Sequence, residues 1–596
     1  MKRIALSIVL SFVLCSFAPL ATAEQGLGYY ERYEINCEIE NDRSLRVNKT
    51  MVFVNTSSSQ NVRLPENIFI SSTLIENVSA WDDTGDLSAE VKTENDNASI
   101  SFQTRWISPG QRYTFHVSYA VPNLVSGTGV EYRLNYGATV ADAKIDNIRY
   151  ENYSITVEGP FGAYPFLSDP EVELASLDPP TWGYFKSIGE NETFGGFYTK
   201  FYQHPAYYLV TLSHVFSSSS GSATDINLDT ILFPGDVPWQ SSAIVSSSII
   251  LDTLYNDAEN NLHAVFDVGD LSAGRSKTVT IKLLYQVDVY DPQITSGQVG
   301  TISQVPSSLD PYLEPDSKWD SDSSSITQAA QQAVGGETNA YSATKNICDY
   351  VENLLTYEVQ DSRRGAQWAF GNQTGDCSEY TDLSITMARA SGIPARAMYG
   401  WGFYESDNDN DNLRGHAWPE FYFPNEGWQP ADPTWAETSG DYFSRSDPIH
   451  LTRSVRGLTS TEAYDNFFCY GTAPSSEETE DIQSITASSA AQHYLTAAQY
   501  HLSAATNLLL DVDNSQLETK LQQALSEYSS AINATSESDI ILHAQSSISY
   551  SDEVVQALGE PPARQGFDGG AIFNYVVVVL VVCVVLLGVY AVVKRR

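Results

Sequence analysis

The stretch "GDCSEYTDLSITMARASGIPARAMYGW", residues 375–401, decides how the rest of the chain is read. Asp376 and Glu379 stand as N-cap and third helical residue, a capping box, and Tyr380, Leu383 and Met387 continue one apolar face. Gly392 and Pro394 end the helix. Cys377 therefore falls at the first helical position, where unpaired N–H groups and the helix dipole favour an anion. Such a position lowers a thiol pKa and makes thiolate available near neutral pH, so Cys377 is a candidate nucleophile. Backbone N–H groups at the same helix end are suited to hold an oxyanion.

A nucleophile of this kind needs a base and a group that orients it. Residues 415–435 read "GHAWPEFYFPNEGWQPADPTW", two aromatic-rich runs flanking the turn sequence "PNEG". His416 lies on the first predicted strand and Asp432 on the second. Pairing Phe423 with Trp428 puts Asp432 opposite Pro419, three residues from His416, so the hairpin is expected to be irregular, as Pro419, Pro430 and Pro433 allow. Singly, a lone His is usually structural and an Asp before Pro is usually a turn residue. Together, and in this order, Cys377, His416 and Asp432 read as a catalytic triad.

The segments "GDCSEYTDLSITMARASGIPARAMYGW", "GHAWPEFYF" and "GWQPADPTW" resemble the signature segments of the transglutaminase-like superfamily, whose fold is related to papain-like cysteine proteases. The resemblance covers residues 300–470. It implies Cys377 as nucleophile, His416 as general base and acid, and Asp432 as the group that orients the imidazole. The implied chemistry is a thioester with a Gln carboxamide or peptide carbonyl, resolved by an amine or by water. The resemblance transfers no second oxyanion donor; Gln367, Trp368 and Gln373 are the upstream candidates. "GIPAR" reads as a supporting strand and loop, with Arg396 available to a core carboxylate. No cofactor is expected. The alternating Asp407, Asp409 and Asp411 invite a calcium reading, but an EF-hand loop needs Gly and Glu where this chain has Asn412 and Trp418, so a solvated loop is preferred.

The ends of the chain point outward. Lys2 and Arg3, an apolar run and Ala21-Thr22-Ala23 form the pattern of a cleavable signal peptide. Residues 571–593 are apolar and Val-rich, long enough for about 30 Å of hydrocarbon, and Lys594, Arg595 and Arg596 follow. The basic stop predicts a cytoplasmic C-terminus with the bulk of the chain outside, a cleaved lipid-anchor tail being the alternative. These five end charges are all basic, which leaves 28 basic against 74 acidic residues between them. That balance argues against nucleic acid as a partner and for a self-repelling, soluble surface. Eight Asn-x-Ser/Thr sequons (Asn48, Asn55, Asn77, Asn97, Asn152, Asn191, Asn372 and Asn533) fit a glycosylated surface protein. With Cys377 kept as a thiol, Cys37, Cys348 and Cys469 allow one internal disulfide, expected between Cys348 and Cys469, which flank the same domain.

The expected fold is multidomain α+β. A signal peptide (1–23) precedes a first β-sandwich (24–125), a β-rich connecting region (126–205) and a second β-sandwich (206–295). The papain-like, transglutaminase-like catalytic domain (300–470) follows, then a helical stalk or bundle (478–560), a linker (561–570), a single transmembrane helix (571–593) and a basic tail (594–596). The strand regions show short alternating runs between turn residues. A faint repeat relates Pro65 and Gly110 to Pro234 and Gly274, which suggests two related sandwiches. In the last region Leu517, Leu521, Leu525, Tyr528 and Ile532 line one helix face, and Ile541, Ile548, Val555 and Leu558 another. The function expected is a membrane-anchored thiol acyltransferase or hydrolase acting on surface proteins or peptides. The alternatives are a cysteine peptidase with the same triad and a catalytically silent adhesion or binding protein.

Overall fold

The computed structural model describes residues 28–558 apart from short segments, the longest being 189–196 and 404–412. The expected signal peptide, linker, transmembrane helix and basic tail lie outside the described residues, as do Asp407, Asp409 and Asp411. Among the described residues, no helix is long and apolar enough to cross a membrane. The chain divides into two compact units at Tyr202 and Gln203.

The first unit is built on an eight-stranded sheet, in which strand Gly28–Ile39 pairs antiparallel with Leu45–Asn55 and parallel with Tyr150–Glu158. Two four-stranded sheets accompany it. The connecting region adds strands to the eight-stranded sheet and forms a four-stranded sheet of its own, and it shares one core with the first strands: Trp182 and Phe201 join Tyr30, Phe53 and Phe115. The sequons divide here too. Asn55 is fully buried, its amide donating to the Gln60 and Ile107 carbonyls (both 2.9 Å), so it offers no site for a glycan.

In the second unit, strands and helices are numbered from residue 203. Strands β1 (Ala206–Ser217), β2 (Ala223–Pro234), β3 (Gln240–Ser247), β4 (Leu251–Asn256), β5 (Asn261–Leu271) and β6 (Ser276–Val287) form most of a sandwich. The inserted module then supplies α1 (Ser324–Val334), α2 (Ala340–Leu354), β7 (Thr356–Tyr357), α3 (Ala366–Asn372), β8 (Thr374–Gly375) and α4 (Cys377–Ala390). It continues through β9 (Ala395–Phe403), β10 (Leu413–Phe423), β11 (Gly427–Pro430), α5 (Pro433–Ser439) and β12 (His450–Arg456). The sandwich is completed only afterwards, by β13 (Asp465–Gly471) beside β2 and β14 (Ser475–Ile485) beside β1. Sequence order had the second sandwich ending before the expected catalytic domain; in the structure that module is an insertion into the sandwich.

Helices α6 (Ala487–Leu509), α7 (Ser515–Asn533) and α8 (Glu537–Leu558) form a bundle rather than a free stalk. Ala490, Ala491, Tyr494, Ala497 and Ala498 pack on Tyr207, Ala243, Val245 and Leu284 of the sandwich, and small side chains let the helix approach the sheet closely. On α7 the buried residues are Ala524 and Ala531; of the expected face, Leu517, Leu521 and Tyr528 are half-buried, with Tyr528 packed on the core, while Leu525 and Ile532 are exposed. On α8, Ile541, Ile548 and Val555 are buried as the spacing predicts. The repeat survives in part. Gly110 and Gly274 both turn with positive φ before a long strand, but Pro65 opens a strand and Pro234 closes one.

The inserted module packs α4 against an antiparallel sheet of order β11-β10-β9-β12. Residues Glu379 to Arg389 of α4 are all buried, and Tyr380, Leu383 and Met387 join Ile347, Val351, Ala397 and Phe421 in one core. Arg396, on β9, donates from Nε to Glu420 Oε2 on β10 at 2.5 Å, an ion pair of the kind that "GIPAR" allowed. Cys348 is buried in this core on α2, whereas Cys469 lies on β13 of the sandwich. The two are not joined, which corrects the expected disulfide: residues that flank a module in sequence belong here to different layers.

Candidate active site

Asp376 caps α4, its Oδ1 accepting from the Ser378 N–H at 3.0 Å, and Glu379 Oε2 accepts from the Asp376 N–H at 3.2 Å. Gly375 makes this box possible, because a Cβ there would stand 2.2 Å from Glu379 Cβ. Burial is the main influence on Glu379 and raises its pKa to about 7, against hydrogen bonds from the Arg364 and Asp376 N–H groups. Cys377 begins the helix, half-buried, with its thiol at the positive end of the helix dipole.

His416 and Asp432 come from the hairpin β10–β11. Phe423 pairs with Gly427 and Glu420 with Pro430, and the ladder runs on through the Ala431 N–H to the Pro419 carbonyl at 3.0 Å. Asp432 thus continues opposite Trp418, not Pro419, two residues from His416 and on its face of the sheet. The expected Phe423–Trp428 register is corrected by one residue, and the irregular pairing it demanded is not needed. His416 Nε2 and Asp432 Oδ2 are 2.7 Å apart, both residues buried.

The His416 ring lies between Trp418 and Trp435, with centroids 5.5 and 4.9 Å away and nearly parallel planes. Gly402 leaves room for this stack, since a Cβ there would meet the Trp435 ring at 2.7 Å. Burial opposes charge on His416, but Asp432, by charge and hydrogen bond, and Cys377 outweigh it and raise the pKa to about 9. The His416 Nδ1 atom makes no closed hydrogen bond, while Cys377 is near enough to act on the ring's protonation. Such a contact is the loose thiol–imidazole pair usual in a site without substrate. Asp432 is depressed well below the carboxylate range: burial would raise it, but His416 and His450 overcome that.

His450, at the start of β12, was not singled out from the sequence. Its Nε2 lies 3.1 Å from Asp432 Oδ2 and its Nδ1 2.6 Å from Asp447 Oδ1. Asp447 also accepts from Tyr442 Oη at 2.7 Å. The available signal was "SDPIH", an Asp three residues before a His at a strand start, which is too common a pattern to stand out.

The structure brings Cys377, His416 and Asp432 together, and the three oxyanion candidates have contacts of their own. Gln367 accepts from Ser323 Oγ at 2.6 Å, Trp368 lies against the Arg364 guanidinium, and Gln373 ends α3 with its carbonyl accepting from Thr356 N–H. Tyr357, whose strand β7 pairs with β8, stands in the field of Cys377: burial first, then the charges of Cys377, Asp376 and Asp432, raise its phenol. Among the described residues two His–carboxylate groups have close spacing, His416–Asp432–His450 and His214–Asp465–Glu478. Their atoms already engage one another or the Arg453 guanidinium, and no metal is assigned to either.

Residues 327–433 match the model of the Transglutaminase-like superfamily. YebA, an uncharacterized protein of Bacillus subtilis, is 31% identical over 126 residues, 18% of this chain and 17% of its own length. A protein-glutamine gamma-glutamyltransferase of Pseudomonas aeruginosa is 30% identical over 90 residues, 14% of each chain. The chain thus spans less than a fifth of these curated relatives. A solved Cytophaga hutchinsonii protein, described as a candidate cysteine protease, is 17% identical with a TM-score of 0.35, covering 47% of this chain and 91% of its own. Within this β-rich, multidomain chain, residues 327–433 are thus similar to the core of the transglutaminase-like superfamily.

Proposed function

We propose that this protein is a membrane-anchored, outward-facing thiol acyltransferase or hydrolase acting on amides of proteins or peptides through Cys377, His416 and Asp432. The observation that carries the reading is one line of groups: a thiol at the start of α4, the His416 ring beside it, and Asp432 bonded to that ring at 2.7 Å. A His416 pKa raised to about 9 favours the thiolate–imidazolium pair at neutral pH.

In this reading the Cys377 thiolate attacks the carboxamide carbon, forming the S–C bond, and the first-turn N–H groups of α4 receive the oxyanion. His416 gives its proton to the departing nitrogen as the C–N bond breaks, and ammonia leaves. Neutral His416 then takes a proton from an incoming Lys amine or water, which attacks the thioester and expels the thiolate. An amine yields an isopeptide crosslink and water yields hydrolysis. The apolar segment 571–593 with its basic stop would hold the chain in a membrane, and the signal-like N-terminus supports an outward orientation.

The test is the alkylation rate of Cys377 against pH, with His416→Ala alongside. A reactive thiolate well below pH 8 that is lost or shifted in the variant supports an activated pair. A rate that rises only near the free-thiol pKa of about 8.5, unchanged by the substitution, overturns catalysis and leaves a silent binding protein. Product analysis then separates the chemistries, with ammonia and isopeptide bonds for transfer and new amino termini for peptide hydrolysis.

A further inference from the structure

The carboxylate of Asp432 has every acceptor position filled. Its Oδ1 takes the N–H groups of Thr434 (2.9 Å) and Trp435 (3.1 Å), and its Oδ2 takes His416 Nε2 (2.7 Å) and His450 Nε2 (3.1 Å). Four donors match the roughly four lone-pair sites of a carboxylate. His450 in turn has both ring nitrogens on carboxylates, since Nδ1 meets Asp447 Oδ1 at 2.6 Å. An ionised carboxylate only accepts, so both nitrogens must carry protons and the ring is an imidazolium. The side chain is buried, beside Trp435, Trp418 and Tyr442. The titratable groups around it are Asp432, Asp447, His416 and Tyr442.

We infer that His450 is a positioning residue for the Cys377 site, a fixed imidazolium clamped by Asp447 that immobilises the Asp432 oxygen used by His416 and competes for its charge. This deepens the proposed function and rests on it for the catalytic consequence. Two effects follow. Without His450, Oδ2 keeps only His416 as an anchor and the carboxylate is held less firmly. Without the second imidazolium, Asp432 acts on His416 undivided and a positive neighbour 5.5 Å from the ring disappears, so His416 holds its proton more tightly. The step that suffers is the one needing neutral His416, resolution of the thioester. Burial resists the charge on His450, but Asp447 and Asp432 outweigh it and raise the pKa to about 9, in agreement with the geometry.

The experiment uses the purified full chain and two readouts. Side-chain ¹⁵N NMR of histidine-labelled protein reports ring protonation independently of activity. Turnover of p-nitrophenyl acetate, a generic acyl donor, separates the Cys377 acylation burst from the later deacylation. The expected result is a doubly protonated His450 from pH 6 to 8. In His450→Gln the His416 titration midpoint and the rising limb of deacylation should move up together by about one pH unit, making deacylation about tenfold slower at pH 7 with the burst intact. Asp447→Asn, which keeps an acceptor but drops the charge, should move both the same way by less. A neutral His450 at pH 7 in the native protein overturns the inference, as does a folded His450→Gln protein whose limb has not moved or which loses only burst. If no Cys377-dependent burst appears in the native protein, the proposed function falls, while the NMR still decides the state of His450.

Discussion

The His416–Asp432–His450 cluster of the inserted module and the His214–Asp465–Glu478 cluster of the sandwich are both built from histidine and carboxylate; the first is buried throughout, and in the second His214 is buried while Asp465 and Glu478 are half-buried. They differ in what closes them. The first ends at a helix start that carries a thiol. The second ends at Arg453, whose guanidinium reaches from β12 to Glu478 at 2.8 Å and Glu480 at 2.9 Å, with Asp465 at 3.9 Å. An arginine is a permanent cation with no lone pair to offer, so a carboxylate network that ends on it is neutralised. A His–Asp pair becomes chemistry only when its free side faces a group that can exchange a proton. The sandwich cluster instead ties the insertion to its host, since His214, Asp465 and Glu478 belong to β1, β13 and β14 and Arg453 to the inserted sheet.

The sharpest way to break this contrast is to remove one group from each cluster. His416→Ala should abolish the low-pH reactivity of Cys377, and Asp432→Asn should cut acyl transfer by about 10⁴-fold, as loss of the orienting carboxylate does in other triads. Arg453→Met should leave the alkylation profile of Cys377 unchanged while destabilising the fold by about 3 kcal/mol at most, because it strands half-buried carboxylates. Denaturant unfolding measured beside alkylation separates the two outcomes. Equal damage to both readouts in both variants would mean that the clusters do not divide the work.

How far this was legible follows from the same residues. The capping box, the helix and the Cys-His-Asp order are local signals, because each depends on residues close in sequence or on a tight hairpin. The register slipped by one because "PNEG" admits more than one turn; Asn425 and Gly427, both with φ of +80°, select a three-residue loop from Pro424 to Glu426. The closing strands β13 and β14 were not legible. β14 reads "SSEETEDIQSI" and is mostly exposed at a sheet edge, so it lacks the apolar alternation by which a half-buried strand is recognised. His450 was hidden for another reason, since a lone His carries no pattern until Asp432 and Asp447 are brought to it.

A smaller substitution tests the aromatic stack that holds His416. Gly402→Ala puts a methyl 2.7 Å from the Trp435 ring and 3.3 Å from His416 Cβ. Overpacking of this kind costs about 1–3 kcal/mol. It should also slow Cys377 alkylation, because the ring must tilt away from the thiol. The matching change in the sandwich, His214→Gln, should lower stability with no kinetic effect. If Gly402→Ala keeps the native alkylation rate, the stack serves packing alone.

The mildest expected effect is a difference in how stability responds to pH. His416 and His450 have folded pKa values raised from 6.5 to about 9, so the stability they contribute is fully present below pH 6.5 and is lost as pH rises through about 9. In the sandwich, burial raises Glu478 from 4.5 to about 7 against the pull of Arg453, while Asp465 is lowered, so the pair retains one proton that the unfolded chain would release. Its contribution is therefore present below pH 4.5 and is lost as pH rises through about 7. The slopes are bounded by about 1.4 kcal/mol per pH unit for each proton. Melting temperatures from pH 4 to 10 should thus show two separate declines, the lower flattened by Glu478→Gln, with Glu379 and Glu259 also titrating in that window, and the upper flattened by His450→Gln. A single decline that either substitution removes would mean that the two clusters titrate as one system, and the separation drawn between them would fail.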